Sequence, residues 1–185
     1  MQLSGSDWVH RFPTSSKIDD LHPPFRDNVH RFLDALTAAG VRVVVADTFR
    51  PPERAYLMHF AFAIAHGTAN PAKVPLMEGV DIQWVHTDAA GNPDPVATKT
   101  AAADMVRAYG LSFPPALTSR HCEGLAIDMR ISWLGNLAIA DGSGKRISIA
   151  NDPRDGGNSA LHQVGASYGV IKLVTDPPHW SSDGH

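Results

Sequence analysis

Two short segments of the chain carry side chains that can bind a metal ion. The first, SRHCEGLAID at residues 119–128, places an imidazole and a carboxylate seven residues apart. The second, DPPHW at residues 176–180, adds another imidazole and another carboxylate. Catalytic zinc sites use three protein ligands, keep one position open for water and need a base nearby. Two histidines, one ligand aspartate and a spare carboxylate meet that requirement.

The first segment leads into a predicted strand. Residues 124–131 alternate apolar and polar side chains, so Asp128 lies on the strand while His121 lies in the loop that enters it. Both side chains can therefore converge on one point, where Gly124 permits a close approach of the backbone and Ala126 leaves room. The alternative is a capping histidine and an ordinary strand aspartate, without a metal.

The second segment follows another predicted strand, at residues 170–174. Its two prolines stiffen the loop between Asp176 and His179, so one rigid loop can place a base and a ligand around the same metal. The alternative for this segment is a proline turn with a hydrogen-bonded aspartate.

The other elements must position these two segments. Apolar spacing predicts helices, and β-branched or alternating runs predict strands. The helices are expected at 25–39, 53–65, 96–109 and 158–168, the strands at 41–46 and 79–85, and a hairpin at 134–140 and 145–150. Helices mixed with adjacent hairpins favour an α+β fold over a doubly wound sheet. We expect one domain over residues 1–185, with an irregular segment at 1–18 and an elaborated loop at 66–95.

Composition excludes several classes of protein. The 185 residues are 43% hydrophobic, enough for one sizeable core, and the net charge of −3 offers no basic surface for nucleic acid. The single cysteine, Cys122, excludes an internal disulfide. The N-terminus lacks the basic and apolar regions of a signal peptide, and no apolar run is long enough to span a membrane. The sequence therefore predicts a cytoplasmic product, and we expect a monomer.

With both segments in place, the chain resembles peptidase family M15, the D-alanyl-D-alanine carboxypeptidase and dipeptidase group, which also includes L-alanyl-D-glutamate endolysins. The family pattern S-x-H-x-x-G-x-A-x-D is matched at residues 119–128. Its second part, an acidic residue shortly before a histidine that adjoins an aromatic, is matched at 176–180. A third match is the run DTFRPPERAYL at residues 47–57.

The resemblance implies a fold, a cofactor and a substrate. The fold would be that of the Hedgehog signalling domain and the D,D-peptidases, with a central antiparallel sheet flanked by helices. The cofactor would be one zinc ion, and the substrate a cell-wall (peptidoglycan) peptide containing D-amino acids. The site of action would be the cell wall or periplasm, reached after lysis or by specialised secretion.

The resemblance also implies a role for each matched residue. The zinc ligands would be His121, Asp128 and His179, and the general base would be Asp176, where many members carry glutamate. Arg50 would bind the scissile carbonyl or a substrate carboxylate, which suits a guanidinium that stabilises an oxyanion. Residues bordering the substrate would be Ser119 and Trp180. The alternatives are a surface Arg50 that pairs with Glu53, and a plain loop serine at 119.

Three alternatives of function stay open at this point. One is D-alanyl-D-alanine dipeptidase or carboxypeptidase activity in place of endolysin-like cleavage. Another, of a different class, is a zinc-bearing binding module without catalysis, although Asp176 and Arg50 would have no purpose there. The last is a protein that binds no metal, with structural histidines.

Overall fold

Helices and mainly antiparallel strands build the protein, and its computed structural model describes all residues from Met1 to His185. The four helices are α1 (Phe25–Ala38), α2 (Pro52–Ala65), α3 (Pro95–Tyr109) and α4 (Ser159–Ser167). The eight strands are β1 (Gln2–Leu3), β2 (Arg42–Asp47), β3 (Ile82–Gln83), β4 (Ala126–Ser132), β5 (Leu137–Ala140), β6 (Arg146–Ile149), β7 (Ile171–Lys172) and β8 (His179–Ser181). The predicted α+β class is confirmed at this level.

The helices match the sequence-based bounds to within one residue because local signals set their ends. The Asp94 carboxylate accepts hydrogen bonds of 2.9 and 3.0 Å from two N–H groups in the first turn of α3. Asn158 caps α4 in the same way. Such caps satisfy N–H groups that have no partner inside the helix. At the other end of α3, Gly110 adopts the left-handed conformation, with φ at 69°, and ends the helix.

Two compact units can be distinguished in the chain. The first unit comprises Met1–Pro13 and Pro51–Thr118, and the second unit comprises Thr14–Arg50 and Ser119–His185. Each has its own cluster of buried hydrophobic side chains. The expectation of a single folding domain stays a prediction.

In the first unit, α2 packs against α3 and β1 pairs in parallel with β3. The N-terminal segment is more regular than expected, since it contains β1 and a 3-10 helix at Ser6–His10. The reason is Trp8, whose side chain is 1% exposed and whose indole N–H donates to the Leu3 carbonyl at 3.0 Å. Within the predicted loop at 66–95, the only regular strand is β3.

In the second unit, an antiparallel sheet has the strand order β2-β4-β8-β7. Ile127 of β4 and Trp180 of β8 are fully buried in the core, where Trp180 lies 5.6 Å from Phe32 of α1 (between ring centroids). Neighbouring residues on a strand face opposite sides of the sheet. Burial of Ile127 and Trp180 on one face therefore places Asp128 and His179 together on the other.

Glycine at position 165 lets α4 approach this core. A Cβ atom there would lie 2.7 Å from the Trp180 ring and 2.7 Å from the Val170 carbonyl oxygen, so no side chain fits. The close approach keeps Trp180 in place, and with it the strand that carries His179.

Strand β8 itself was not predicted, because it is three residues long and follows two prolines. No helix of the protein is long and apolar enough to cross a membrane.

Candidate metal centre

Three side chains of the second unit converge on one point, namely His121, Asp128 and His179. The Nε2 atom of His121 lies 3.2 Å from Asp128 Oδ1 and 3.2 Å from His179 Nδ1, and His179 Nδ1 lies 3.2 Å from the same Asp128 oxygen. The side chains are 4%, 17% and 8% exposed, in that order. These residues form a largely buried group that could hold a metal ion.

His121 is held by the turn that follows β2. Its Nδ1 atom donates to the Thr48 carbonyl oxygen at 2.7 Å. Thr48 is itself fully buried, and its hydroxyl donates to the carbonyl oxygens of Ser15 and Lys17 at 3.1 and 2.9 Å. Because a neutral imidazole has only one N–H, the bond to Thr48 leaves a lone pair on Nε2. Such a second partner orients a histidine for metal binding.

Gly124 gives this loop its close turn, as the sequence predicts. Its φ is 66°, and a Cβ atom there would lie 3.0 Å from the His22 ring. The Gly124 carbonyl also accepts a hydrogen bond of 2.9 Å from the His22 N–H. Any larger residue would be strained in this conformation and would push against His22.

His179 is oriented in the complementary way. It sits directly opposite Asp128 in the β4–β8 ladder. Its Nε2 atom donates to the His185 carbonyl oxygen at 3.1 Å, so that in the neutral ring the lone pair is on Nδ1, facing Asp128.

Lys172 of β7 holds the loop between β7 and β8. Its ammonium group donates to the backbone carbonyl oxygens of Leu173, Asp176 and His179, the last at 2.9 Å, and the residue is only 7% exposed. Burial lowers the pKa of Lys172, while the nearby charges of Asp176 and Asp128 raise it in part. Three carbonyl acceptors satisfy the three N–H bonds of a lysine, so the cation fixes the backbone on both sides of the prolines.

The convergent atoms of the site are all acceptors. With both imidazoles neutral, two lone pairs and a carboxylate oxygen meet at 3.2 Å, and one proton can pair only two of them. The pKa values of Asp128 and His179 are shifted in the directions that favour a positive charge between these acceptors. Burial works against ionised Asp128, but hydrogen bonds and positive charge from the histidines, in their protonated form, hold its pKa well below the ordinary range. Burial lowers the pKa of His179, but Asp128 outweighs it and the net pKa is raised.

Arg50 lies beside this group. Its backbone N–H donates to the His121 carbonyl oxygen at 3.1 Å, and its Nη2 atom lies 3.9 Å from Asp47 Oδ2. Its ion-pair partner is therefore Asp47. The Nε atom is buried and has no hydrogen-bond partner. Leaving a buried N–H of a charged group without an acceptor is costly.

Asp176 is exposed, and its carboxylate makes no hydrogen bond with the three convergent side chains. Its charge makes the smallest contribution to raising the pKa of His179, after the hydrogen bond and charge of Asp128 and the hydrogen bond to His185. Its backbone belongs to the loop that Lys172 anchors.

The two residues assigned to substrate contact make no hydrogen bond with the convergent group. Ser119 Oγ instead lies 3.5 Å from Cys122 Sγ. Trp180 is 0% exposed and packs inside the core. The prediction that this side chain contacts the substrate directly is therefore wrong. The aromatic residue beside His179 serves packing instead.

Two residues that support the site are not predicted from the sequence. Thr48 gave no signal, because only the fold brings its carbonyl to His121. The position of Lys172 did give a sequence signal, because a lysine at a core-facing position of an apolar strand needs buried acceptors.

No protein-family model matches the chain, and no curated protein matches it either.

Proposed function

We propose that the protein is a zinc-dependent peptidase that hydrolyses cell-wall peptides containing D-amino acids, by endolysin-like L-alanyl-D-glutamate or D,D-peptidase activity. The observation that carries the proposal is the meeting of three acceptor atoms from His121, Asp128 and His179, each 3.2 Å from the other two. The substrate class rests on the resemblance of three sequence segments to peptidase family M15.

The donor set and its spacing fit zinc. Ligand atoms about 2.0–2.1 Å from a tetrahedral zinc are about 3.3–3.4 Å apart, close to the separations found here. Two neutral imidazoles and one carboxylate are ligands that zinc accepts, and three protein ligands leave a fourth position for a reactant. The Thr48 and His185 carbonyl groups keep both imidazoles in the tautomers that zinc requires.

Zinc bound there would act as a Lewis acid, polarising a carbonyl group and making water nucleophilic near neutral pH. Asp176 would accept the proton of the attacking water and pass it to the leaving amine. Arg50 would stabilise the carbonyl oxygen as negative charge develops on it. One water is consumed, and a carboxylate and an amine are released.

Two other functions compete with this one. D-alanyl-D-alanine dipeptidase or carboxypeptidase activity would use the same residues on a different bond. A zinc-bearing binding module without catalysis would need neither a base nor an oxyanion donor. The presence of both Asp176 and Arg50 therefore favours catalysis over such a module.

The test combines metal analysis with digestion of purified peptidoglycan. We expect about one equivalent of zinc per chain after purification or reconstitution, and new peptide termini identified by mass spectrometry. The cleaved bond separates endolysin-like from D,D-peptidase action. Absence of zinc after reconstitution would overturn the proposal, whereas one zinc without cleavage of any peptide would favour the binding module.

The pH dependence of stability gives an independent check. The raised pKa of His179 stabilises the metal-free protein below the unfolded value of about 6.5, and this contribution is lost as the pH rises through the folded pKa. The lowered pKa of Asp128 contributes stability above about pH 3.9, lost only in stronger acid. The metal-free protein should therefore lose stability above neutral pH.

Zinc reverses that trend, because it competes with the proton for His179 Nδ1. We expect the rise in melting temperature on adding zinc to grow between pH 5.5 and 8, as measured by calorimetry. A rise that is constant or shrinks over this range would contradict metal binding at His179.

A further inference from the structure

A cleft adjoins the candidate metal centre on the side of β4 that faces β8. It measures about 450 Å³ and is lined by residues 129–131 of β4, by Pro177 and Pro178, and by residues 155–157. Three of the lining residues, Met129, Pro178 and Pro177, adjoin Asp128, His179 and Asp176 in the sequence. A peptide whose scissile bond lies at the metal centre would extend a neighbouring group into this cleft.

The cleft is a gap in the hydrogen bonding of β4. On this side, the Met129 N–H donates to the Pro178 carbonyl at 2.8 Å and the Trp133 N–H donates to the Arg154 carbonyl at 3.2 Å. Alternate N–H groups of an antiparallel strand point to the same side. The Ile131 N–H lies between those two and therefore points towards the cleft, which gives it one backbone donor.

Arg130 adds a cation to the same cleft. Its side chain is exposed, lines the cleft and takes part in none of the ion pairs or hydrogen bonds of the chain. Alternation places Arg130 on the same face of β4 as Asp128, about 7 Å further along the strand. That spacing corresponds to about two residues of an extended peptide.

The acidic residue of the cleft is already engaged. Asp155 Oδ1 accepts a hydrogen bond of 2.8 Å from the Gly157 N–H, within its own turn. A Cβ atom at Gly157 would lie 3.1 Å from that oxygen, so the Asp155 carboxylate would have to shift slightly to admit a side chain. The Asp155 carboxylate keeps its charge, and Arg130 is the only cation that lines the cleft.

We propose that this cleft binds a carboxylate of the peptide substrate, recognised by the Arg130 guanidinium and the Ile131 N–H. A guanidinium is suited to a carboxylate through paired, charge-assisted hydrogen bonds. The inference rests on the proposed function for the peptide nature of the ligand. The subsite selects a free carboxylate close to the scissile bond, in preference to the corresponding amide.

The test uses the tripeptide L-alanyl-γ-D-glutamyl-L-lysine and its D-isoglutaminyl counterpart, which differ only in whether one carboxylate is free or amidated. Binding to the zinc-loaded protein is measured by titration calorimetry, and kcat/KM is measured where cleavage occurs. We expect the acid to bind at least about tenfold more tightly than the amide, as a charged pair in place of a neutral one allows. Arg130→Gln should reduce this ratio to about one.

Arg146→Gln is the matched control, because Arg146 is an exposed strand arginine of the same unit. It should keep the wild-type ratio. A ratio near one in the wild type, or a ratio that Arg130→Gln leaves unchanged, would overturn the inference. Arg130-dependent binding without zinc-dependent cleavage would leave the subsite standing and refute the proposed function instead.

Discussion

Asp128→Asn should lose zinc yet leave a folded protein. The substitution keeps the shape of the side chain but replaces a charged oxygen ligand by an amide. The new amide N–H groups can donate to the lone pairs of His121 Nε2 and His179 Nδ1, both 3.2 Å from the position of Asp128 Oδ1. In the variant, the amide group therefore provides the hydrogen bonds to both histidine nitrogens that a bound cation would replace in the wild type.

The expected effect on the metal is large. Changing a residue that only orients a ligand costs about 10–100-fold in metal affinity, so removal of a ligand charge should cost more than about 100-fold. A competition titration with a zinc indicator measures it. With free zinc near 1,000 times Kd, the wild type gains about 4 kcal/mol, or about 8–16 °C in melting temperature at this chain length, and the variant should gain almost none.

A matched control is Asp34→Asn, which makes the same chemical change at an exposed position of α1. It should bind zinc like the wild type. If Asp128→Asn retained wild-type zinc affinity, the metal would have to bind elsewhere. If neither protein bound zinc, the three residues would be a hydrogen-bonded cluster.

Much of this site could be predicted from the sequence because its ligands lie close to regular structure. Asp128 belongs to a strand with clear alternation, and His121 enters that strand through a glycine turn, so their convergence follows from local geometry. The helices were predictable for a similar reason, since Asp94 and Asn158 mark their starts.

What escaped prediction depends on contacts between distant parts of the chain. Strand β8 exists because β4 and β7 flank it, and neither partner can be inferred from the three residues themselves. The pairing places His179 opposite Asp128 and turns Trp180 into the core. The adjacent aromatic was therefore assigned to substrate contact, although the alternation of side chains along β8 buries it.

The conformation of the loop that carries Asp176 also depends on contacts that the local sequence does not reveal. Two prolines indicated a stiff segment, but the backbone carbonyls on either side of them are held by Lys172, a residue of the preceding strand. A lysine inside a predicted apolar strand is compatible with many surroundings. Only the folded chain shows that its three donors meet three carbonyl oxygens of one loop.

That anchoring makes Asp176→Asn a clean test of the proposed base. The substitution removes the charge of an exposed side chain, while Lys172 binds the backbone carbonyl of residue 176 and not its carboxylate. The loop and His179 should therefore stay in place, and zinc should bind with its full stoichiometry. Hydrolysis should fall by about 10²–10⁴ in kcat/KM, the usual contribution of general acid–base catalysis.

The pH profile separates loss of a base from a general disturbance of the site. A base must be deprotonated to act, so wild-type kcat/KM should fall in acid. In Asp176→Asn the remaining activity should lose that acidic limb, apart from any loss of zinc at low pH. A variant that was merely misfolded would instead keep the profile and lose amplitude.

Asp176→Glu provides a partial rescue, because it restores the carboxylate on a longer arm. We expect activity between those of the wild type and the asparagine variant, and Asp34→Asn should keep full activity. Asp176 makes no hydrogen bond or ion pair with the three convergent side chains, so its carboxylate is not engaged by them. Full activity in Asp176→Asn would exclude this carboxylate as the base, and Glu123 would be unsuited to replace it because Arg120 already pairs with it.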